Sequence, residues 1–568
     1  MKLASNSFYK RQCIDGVLFL LCFAFSPNWS ISQSIFLNPK EAIEARVSDL
    51  LHALTLEEKI SMLGHENPSI TRLHISQYNW WNEGLHGVAR AGEATVFPQA
   101  IGLAATFNDS LISQVGIVIS TEARAKYNLA AEKDNHAQYL GLTFWSPNIN
   151  IFRDPRWGRG SETYGEDPYL TAEIGKAFVR GMQGNDAHYL KTAACAKHYA
   201  VHSGPESERH GFNAIVDEKD LRETYLYAFN KLVDAHVESV MCAYNQINGE
   251  PCCTGQTIMK KILREEWHFK GQLLTDCGAL HDILALHKEM KGSALAAEAI
   301  HSGLNLECGN VLPHNIAEAV RERLLTTADI DSALAPDLRI RFRLGFFDNP
   351  DLNPYAKYKQ DSIHNAAHIA LARQTAQESM VLLKNNGILP LDRNKYHSIM
   401  VVGANASSLD VLMGSYHGIS GGMISFAEGI ASTAGPDIAV QYDQGYDNKD
   451  TIHFGGIWAA GMSDLTIAVI GLSPVLEGEE GDAFLSESGG DRRSLSLPAA
   501  QLIYLKKLRE SIKNPLIVVI TAGSAIDLSQ ILPYADAILL AWYPGEQGGQ
   551  AMADILFGRV SPSGHLPV

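Results

Sequence analysis

Short apolar runs alternate with helical stretches over residues 38–347 of the chain. Helical spacing of the apolar residues occurs between these runs, for example at Asp220–Ala235 and Ala294–Ser302. The runs predict strands at Leu142–Trp145, Ala193–Ala196, Ser239–Ala243 and Gln272–Thr275. Repetition of strand and helix over this length is typical of a (β/α) barrel, so the fold class is α/β with a TIM-like barrel first.

The pattern breaks at Leu344–Ser362, which is rich in proline and asparagine and reads as a linker. A long helix is predicted next, over His364–Leu383. Continuous apolar runs then predict strands at Ile399–Val402, Leu465–Ile470, Leu516–Thr521 and Ala537–Ala541. Strands of this kind are buried on both faces. We therefore expect a barrel over 38–347, a linker over 348–365 and an (α/β) sandwich domain over 366–568.

The first 32 residues have the pattern of a secretory signal peptide. Lys10 and Arg11 precede an apolar run over Val17–Phe25, and Ser30–Ser32 supplies small residues for cleavage. The alternative is a buried N-terminal helix, and the run is too short for a membrane span. The prediction is a secreted or periplasmic protein.

Charge and cysteine content limit the partners and bound groups that the protein can have. A net charge of −16 argues against a nucleic-acid partner. The second domain lacks a strand-linked G-x-G-x-x-G or G-x-x-x-x-G-K-[ST] loop, which argues against a nucleotide-binding site. Outside the leader, six cysteines can form disulfides and lack zinc-ligand spacing: Cys195, Cys242, Cys252, Cys253, Cys277 and Cys308.

Asp276 follows the apolar strand Gln272–Thr275 directly. In a parallel barrel the carboxyl end of a strand faces the mouth, where catalytic groups lie. The alternative is that Asp276 caps the helix beginning near Gly278.

Other chemistry-bearing side chains occur at comparable places. Glu83 lies between tryptophans and a histidine in YNWWNEGLHG, a combination that suits a sugar. The loop after Trp145 holds Arg153, Arg156 and Arg159, of which Arg156 or Arg159 can reach a ligand hydroxyl. Further polar residues follow predicted strands: Lys197, His198, Arg209 and Tyr244.

Five ordered motifs resemble glycoside hydrolase family 3 and especially its β-xylosidase and β-glucosidase branch, and the resemblance runs from about Pro39 to the last residue. They are WNEGLHG, SPNINIFRDPRWGRGSETYGEDP, AKHYAVHSG, SVMCAYNQING and LLTDCGAL. The resemblance implies a barrel, a sandwich domain and an active site at their junction. It implies Asp276 as the nucleophile and a Cys277–Cys308 disulfide beside it. It also implies a first sugar subsite lined by Glu83, Trp145, Arg159, Lys197, His198, Arg209 and Tyr244, with Trp145 standing where relatives often have another aromatic.

The resemblance places the acid/base on the second-domain loop Gly471–Arg492. Many relatives have Glu-x-Glu shortly before Asp-Arg, and the second glutamate is the usual proton donor. Glu479 fits that position, although an insertion separates it from Asp491-Arg492, so Glu477 stays a rival and Glu487 a weaker one. We expect Lys197 and Arg209 to keep Asp276 ionised, and partial burial when the loop closes to raise the pKa of Glu479.

The predicted activity is that of an exo-acting, retaining β-glycosidase that needs no metal or organic cofactor and takes an oligosaccharide substrate. Glu83 is one methylene longer than the aspartate of many glucosidases in the family and fills the room of a C5 hydroxymethyl group. A β-D-xylosidase of xylan degradation is therefore the first choice. The alternatives are a β-glucosidase, a bifunctional xylosidase/α-L-arabinofuranosidase and a carbohydrate-binding protein without catalysis.

The chain ends at GHLPV, where family members continue from a similar stretch into a further strand and often a fibronectin-like domain. We therefore expect the second domain to be incomplete at its C-terminus.

Overall fold

The computed structural model describes residues 34–568. The predicted signal peptide, residues 1–32, lies outside the described residues. Over residues 34–568, no helix is long and apolar enough to span a membrane.

A barrel-like unit forms the first part of the described chain. Its strands are β1 (Glu66–Asn67), β2 (Tyr78–Asn79), β3 (Thr143–Phe144), β4 (Ala193–Tyr199), β5 (Asn213–Ala214), β6 (Ser239–Cys242), β7 (Gln246–Ile247), β8 (Glu250–Pro251) and β9 (Gln272–Thr275). Its α-helices are α1 (Ile43–Ala53), α2 (Leu56–Ser61), α3 (Ala100–Ala105), α4 (Asp109–Ala131), α5 (Pro168–Gln183), α6 (Glu218–Asp220), α7 (Tyr227–Asp234), α8 (Ala279–Leu286), α9 (Gly292–His301), α10 (Val311–Arg321) and α11 (Thr327–Arg343).

The wall of the barrel is a ring of strand pairings that are parallel except where β1 pairs antiparallel with β2. Strands β3, β4, β6 and β9 lie side by side in that order and run parallel. Single bridges extend this sheet, from Phe144 to Asn82 on one side and from Leu274 to Leu306 on the other. Residues 64 and 65 close the ring, because His65 N donates to Glu307 O at 2.9 Å and Trp80 N to His65 O at 2.9 Å. The predicted TIM-like barrel is confirmed.

The turn after β9 decides between the two interpretations of Asp276. Helix α8 begins after Gly278, which has a φ of 84° and makes no side-chain cap. The Asp276 carboxylate accepts from its neighbour Cys277 N at 2.8 Å instead of from the first turn of α8. The helix-cap alternative is therefore wrong, and the carboxylate is left at the barrel mouth.

The second part of the chain is a six-stranded sheet with helices on both faces. Its strands are β10 (Val381–Asn385), β11 (Ser398–Val402), β12 (Ala439–Asp443), β13 (Leu465–Gly471), β14 (Leu516–Thr521) and β15 (Ala537–Leu540), arranged β10-β15-β14-β13-β11-β12. Its α-helices are α12 (Ala366–Ser379), α13 (Asp410–Met413), α14 (Phe426–Ala434), α15 (Ile457–Met462), α16 (Ala499–Ser511) and α17 (Gly548–Leu556). All neighbours are parallel except β10 with β15. Separate apolar clusters cover the two faces, as the sandwich prediction requires.

The structure departs from the prediction at both edges of the six-stranded sheet. The helix predicted to Leu383 ends at Ser379, and Val381–Asn385 pairs with β15 instead, because the open sheet edge offers backbone partners that a helix does not use. Strand β12 escaped prediction because it lies at the opposite edge and its side chains are largely exposed, so it lacks an apolar run.

Direct hydrogen bonds join the two parts of the chain. Gln99 N donates to Tyr543 O at 2.9 Å, and Glu546 N donates to Val96 O at 2.9 Å. The buried carboxylate of Glu546 accepts in return from Val96 N at 3.1 Å and contacts His364 at 3.1 Å. These contacts hold the sandwich against the barrel near its mouth.

Two disulfides occur in the described residues, Cys242–Cys253 and Cys277–Cys308. The second was implied by the family resemblance and is confirmed. Cys195 and Cys252 are free and buried.

Two helical glycines generate a prediction about packing. A Cβ at Gly429 in α14 would lie 2.1 Å from Gly549 O, whereas one at Gly461 in α15 would meet only Ser511 O at 3.5 Å. Gly429→Ala should lower the free energy of unfolding by about 1–3 kcal/mol through overpacking. The control Gly461→Ala should raise it by up to about 1 kcal/mol through helix propensity. Denaturant titration checks both, and equal stability of the two variants would contradict the backbone contact.

Candidate active site

All nine residues predicted for catalysis and sugar binding line one cavity of about 200 Å³ between the barrel mouth and a second-domain loop. Its other lining residues are Trp81, Arg90, Met241, Cys277, Tyr416 and Asp482. A larger cleft of about 620 Å³ contains Arg153 and Arg156 but none of the nine. Arg156 pairs with Asp154 there, so of the two arginines considered for ligand contact, only Arg159 reaches the cavity.

Asp276 is placed at the cavity by the end of β9. Its Oδ2 lies 3.5 Å from His198 Nε2 and has no hydrogen-bond partner in the described chain. Burial raises the pKa of Asp276, and the cations of Arg159 and Lys197 oppose that rise. The cations that favour its ionised form are therefore Arg159 and Lys197, whereas Lys197 and Arg209 were expected.

The end of β4 supplies Lys197 and His198, both buried. Asn150 Oδ1 lies 3.0 Å from His198 Nδ1 and so accepts the ring proton, which leaves Nε2 with a lone pair facing Asp276 and Arg159. Burial and the neighbouring cation of Arg159 hold the pKa of His198 well below its usual value. The ring is thus a neutral acceptor at Nε2.

Glu83 anchors the aromatic side of the cavity. It accepts from Trp81 Nε1 at 2.9 Å and from Lys197 Nζ at 3.1 Å. Trp81 stacks on Trp145 with ring centroids 5.4 Å apart and planes at 15°. Burial raises the pKa of Glu83, while Lys197 and Trp81 lower it. The carboxylate therefore fixes one tryptophan and one cation along the same wall.

Glu479 reaches this cavity from the loop after β13. It accepts from Arg209 Nη1 at 2.7 Å, contacts Arg159 Nη1 at 3.4 Å and accepts from the Tyr416 hydroxyl. Burial raises its pKa, but the two guanidinium groups and Tyr416 outweigh burial and lower the pKa to about 2. In the ligand-free site the pKa of Glu479 is thus lowered, not raised, because two barrel loops place cations on this carboxylate.

The rival glutamates lie elsewhere. Glu477 is buried and accepts from Gly523 N at 2.6 Å, Ser524 Oγ at 2.5 Å and Tyr543 OH at 2.8 Å, all within its own domain. Glu487 is exposed and pairs with Arg493. Only Glu479 of these three lines the cavity.

Tyr244 and the remaining arginine contacts complete the wall. Tyr244 follows β6, and the Arg209 guanidinium lies 5.3 Å above its ring centroid. Arg159 forms a double hydrogen bond with Glu162, at 3.1 and 2.8 Å, yet its Nη1 has no hydrogen-bond partner in the described chain. A buried donor and the buried acceptor Asp276 Oδ2 thus border a cavity that suits a polyhydroxyl ligand.

Sequence reasoning missed three contributors. Tyr416 comes from the second domain, donates to Glu479 and lies under Lys197 and Arg90, each about 5.0 Å from its ring centroid. Arg90 also contacts Asp482 across the cavity at 3.6 Å. Arg90 and Tyr416 both have a positive φ, 57° and 54°. No local sequence pattern predicted this backbone conformation. Among residues 34–568, no cluster of three or more metal-binding side chains occurs.

A barrel whose mouth presents a buried carboxylate, facing a second carboxylate from an α/β sandwich domain, defines a glycoside hydrolase. Family models agree with this class. Residues 56–338 match the N-terminal domain of glycosyl hydrolase family 3, and residues 380–568 match its C-terminal domain. The chain belongs to glycosyl hydrolase family 3.

Relatives of known name span most of the chain. A beta-xylosidase/alpha-L-arabinofuranosidase 2 from Medicago sativa subsp. varia is 37% identical, and the match covers 95% of this chain and 70% of the relative. A xylan 1,4-beta-xylosidase from Xylanibacter ruminicola is 34% identical, with 94% of this chain and 79% of the relative covered.

Solved structures that resemble the fold of this chain include a xylosidase and a glucosidase. A GH3 exo-beta-xylosidase bound to a xylobiose aziridine probe superposes with a TM-score of 0.86 at 30% identity, covering 94% of this chain and 69% of that one. A beta-glucosidase from Erythrobacter marinus superposes with a TM-score of 0.81 at 26% identity, covering 94% and 79%.

Proposed function

We propose that the protein is an exo-acting, retaining β-glycosidase, with β-D-xylosidase activity on xylo-oligosaccharides. The observation that carries the proposal is the pair of Asp276 and Glu479, brought from two domains to one small cavity. A cavity of about 200 Å³ suits one terminal sugar ring rather than the interior of a chain. The barrel supplies the nucleophile and the sandwich domain supplies the acid/base.

Asp276 acts as the nucleophile in this proposal. Its free Oδ2 attacks the anomeric carbon as the glycosidic bond breaks, and a covalent glycosyl-enzyme forms. The neutral His198 Nε2 accepts from one sugar hydroxyl, and Lys197 and Arg159 donate to others. A neutral ring beside Asp276 does not tie up the carboxylate as an ion pair.

Glu479 supplies the proton to the leaving oxygen and later deprotonates water. With the ligand-free pKa lowered to about 2, it needs substrate in the cavity to take up a proton. Sugar hydroxyls that accept from Arg159 and Arg209 weaken the hold of those cations, and Asp276 also opposes ionisation of Glu479. Glu479 has then given its proton to the leaving group, and because the glycosylated Asp276 carries no charge, Glu479 stays ionised and can act as the base.

The sugar preference rests on Glu83 and on relatives named as xylosidases. Glu83 is held by Trp81 and Lys197, so its longer side chain keeps its carboxylate over the room of a C5 substituent. A pentose has no C5 substituent and therefore fits beside Glu83, whereas the C5 substituent of a hexose competes with the Glu83 carboxylate for the same space. Hydrolysis of aryl β-xyloside, β-glucoside and α-arabinofuranoside, compared side by side, tests the proposal; a preference for either of the last two supports the corresponding alternative.

The leader-like N-terminus supports the further proposal that the protein is exported. Detection of mature protein beginning after residue 32 outside the cytoplasm tests it.

Asp276→Ala should lower kcat by about 10⁴-fold or more, because no other group forms the covalent intermediate. A mechanism-based fluoroglycoside should label Asp276 in the parent protein, which peptide mass spectrometry checks. The control Asp282→Ala, six residues further along the chain, should keep the label. Labelling of a different carboxylate overturns the assignment.

Glu479→Ala should lose about 10²–10⁴-fold in kcat/KM for a disaccharide, whose leaving group needs a proton. With an activated aryl glycoside the first step should survive and a glycosyl-enzyme should accumulate. Azide needs no general base and should restore turnover as a glycosyl azide of retained configuration.

Two matched variants sharpen this test. Glu477→Ala should lower thermal stability, since it leaves buried donors without an acceptor, and should show no azide rescue. The exposed Glu487→Ala should resemble the parent in both respects. Azide rescue in Glu477→Ala, or its absence in Glu479→Ala, would move the role away from Glu479.

Glu83→Asp should shift the ratio of glucoside to xyloside kcat/KM toward glucose by about 10-fold, the effect of roughly one methylene. Trp81→Phe is the control, because it removes a hydrogen bond to Glu83 without opening the same room. It should lower both activities and leave their ratio unchanged. A ratio that stays fixed in Glu83→Asp would refute the steric explanation.

A further inference from the structure

Glu206 is a buried carboxylate that the proposed mechanism does not use. It opens a short 3-10 turn of the barrel, Glu206–Glu208, and it does not line the cavity. Burial raises its pKa to about 6, against the opposing effects of Arg159, Trp157 and Arg209. A buried acid of this kind needs specific partners to be retained.

Each partner of the Glu206 side chain lies next to the proposed acid/base Glu479 or next to an arginine that contacts it. Oε1 accepts from Trp157 Nε1 at 2.9 Å, in the loop that carries Arg159. Oε2 accepts from the backbone of Glu480 at 3.3 Å, the residue next to Glu479. The same Oε2 lies 3.5 Å from Arg209 Nη1, the nitrogen that donates to Glu479 at 2.7 Å.

A second carboxylate completes the docking from the opposite direction. Asp491, at the far end of the loop, accepts from Gly158 N at 2.8 Å and from Glu206 N at 2.9 Å. A Cβ at Gly158 would lie 2.3 Å from Gly490 O, so the loop backbone sits directly on the barrel there. The Glu206 carboxylate thus accepts from the Glu480 amide of the loop, and the Asp491 carboxylate of the loop accepts from the Glu206 amide.

We propose that Glu206 is a positioning residue that docks the Glu479 loop on the barrel and shares Arg209 with Glu479. The inference rests on the proposed function, since it assigns the device that prepares its acid/base. Because Arg209 Nη1 faces two carboxylates, ionised Glu206 offsets part of the cation that stabilises ionised Glu479. Without that negative charge, Glu479 is harder to protonate.

The charged groups around Glu206 come from three segments. Arg159 and Arg209 belong to the barrel, and Glu479 and Glu480 belong to the loop. Asp491 faces its backbone amide. Removal of the Glu206 charge therefore leaves two arginines against the loop carboxylates, and the proton affinity of Glu479 falls.

The test is the pH profile of kcat for Glu206→Gln, whose amide keeps an oxygen acceptor but no charge. The substrates are a disaccharide and the nitrophenyl glycoside of the same sugar. For the disaccharide, the alkaline limb of kcat should move to lower pH by about one unit, because that limb reports protonated Glu479 in the substrate complex. For the nitrophenyl glycoside, which needs little protonation, the limb should not move.

Glu208→Gln is the matched control, since it makes the same chemical change on an exposed side chain two residues away. Its profiles should match those of the parent. Glu206→Asp, with its carboxylate withdrawn by one methylene from Arg209, should shift the disaccharide limb in the same direction by less. It carries the test alone if Glu206→Gln does not fold.

An unmoved disaccharide limb in either Glu206 variant overturns the inference. An equal fall in kcat/KM for both substrates, with no change in pH profile, also overturns it, because that result indicates a purely structural role. Absence of turnover in the parent protein on every aryl glycoside contradicts the proposed function instead.

Discussion

The arrangement of this protein depends on one contact between domains, the pairing of Glu479 with Arg159 and Arg209. A carboxylate on a loop of the sandwich meets two guanidinium groups on loops of the barrel at 3.4 and 2.7 Å. Such pairs are costly to bury unless their hydrogen bonds are satisfied, and Tyr416 and Glu162 supply partners here. The site exists only when the two domains are seated together.

Opposing electrostatic effects then set the character of each group. Burial alone would neutralise the carboxylates Glu83 and Asp276, and nearby cations offset that tendency without removing it. For Glu479 the cations prevail, whereas for His198 burial and cations act in the same direction and keep the ring neutral. One cluster of cations therefore yields ionised and neutral groups a few ångströms apart.

Backbone contacts give the loop its position. The close approach at Gly158 leaves no room for a side chain, and amide–carboxylate bonds at Glu206 and Asp491 connect the same surfaces. A loop held by backbone donors is less free to move its side chains than one held by exposed ion pairs alone. The long loop between β13 and α16 can therefore place Glu479 at the cavity while Glu477 binds within its own domain and Glu487 stays exposed.

The hydrophobic pattern of the sequence was enough to predict the barrel, the sandwich and the residues at strand ends. Asp276, Lys197, His198 and Tyr244 follow apolar strands, and parallel strands bring their carboxyl ends to one mouth whatever the loops do. Family motifs added the arginines and the disulfide. Edge strand β12 was missed because its exposed side chains form no apolar run, and β10 was predicted as the end of a helix because its apolar start gives no sign of the pairing with β15.

Tertiary structure alone decided what depends on groups distant in sequence. Glu477 and Glu479 look alike in the chain, but one is bound by Tyr543 and Ser524 inside its domain and the other by arginines about 270 and 320 residues earlier. The direction of the Glu479 pKa, the lone pair on His198 Nε2 and the entry of Tyr416 follow from such contacts. Burial and charge act through space, so no local pattern contains them.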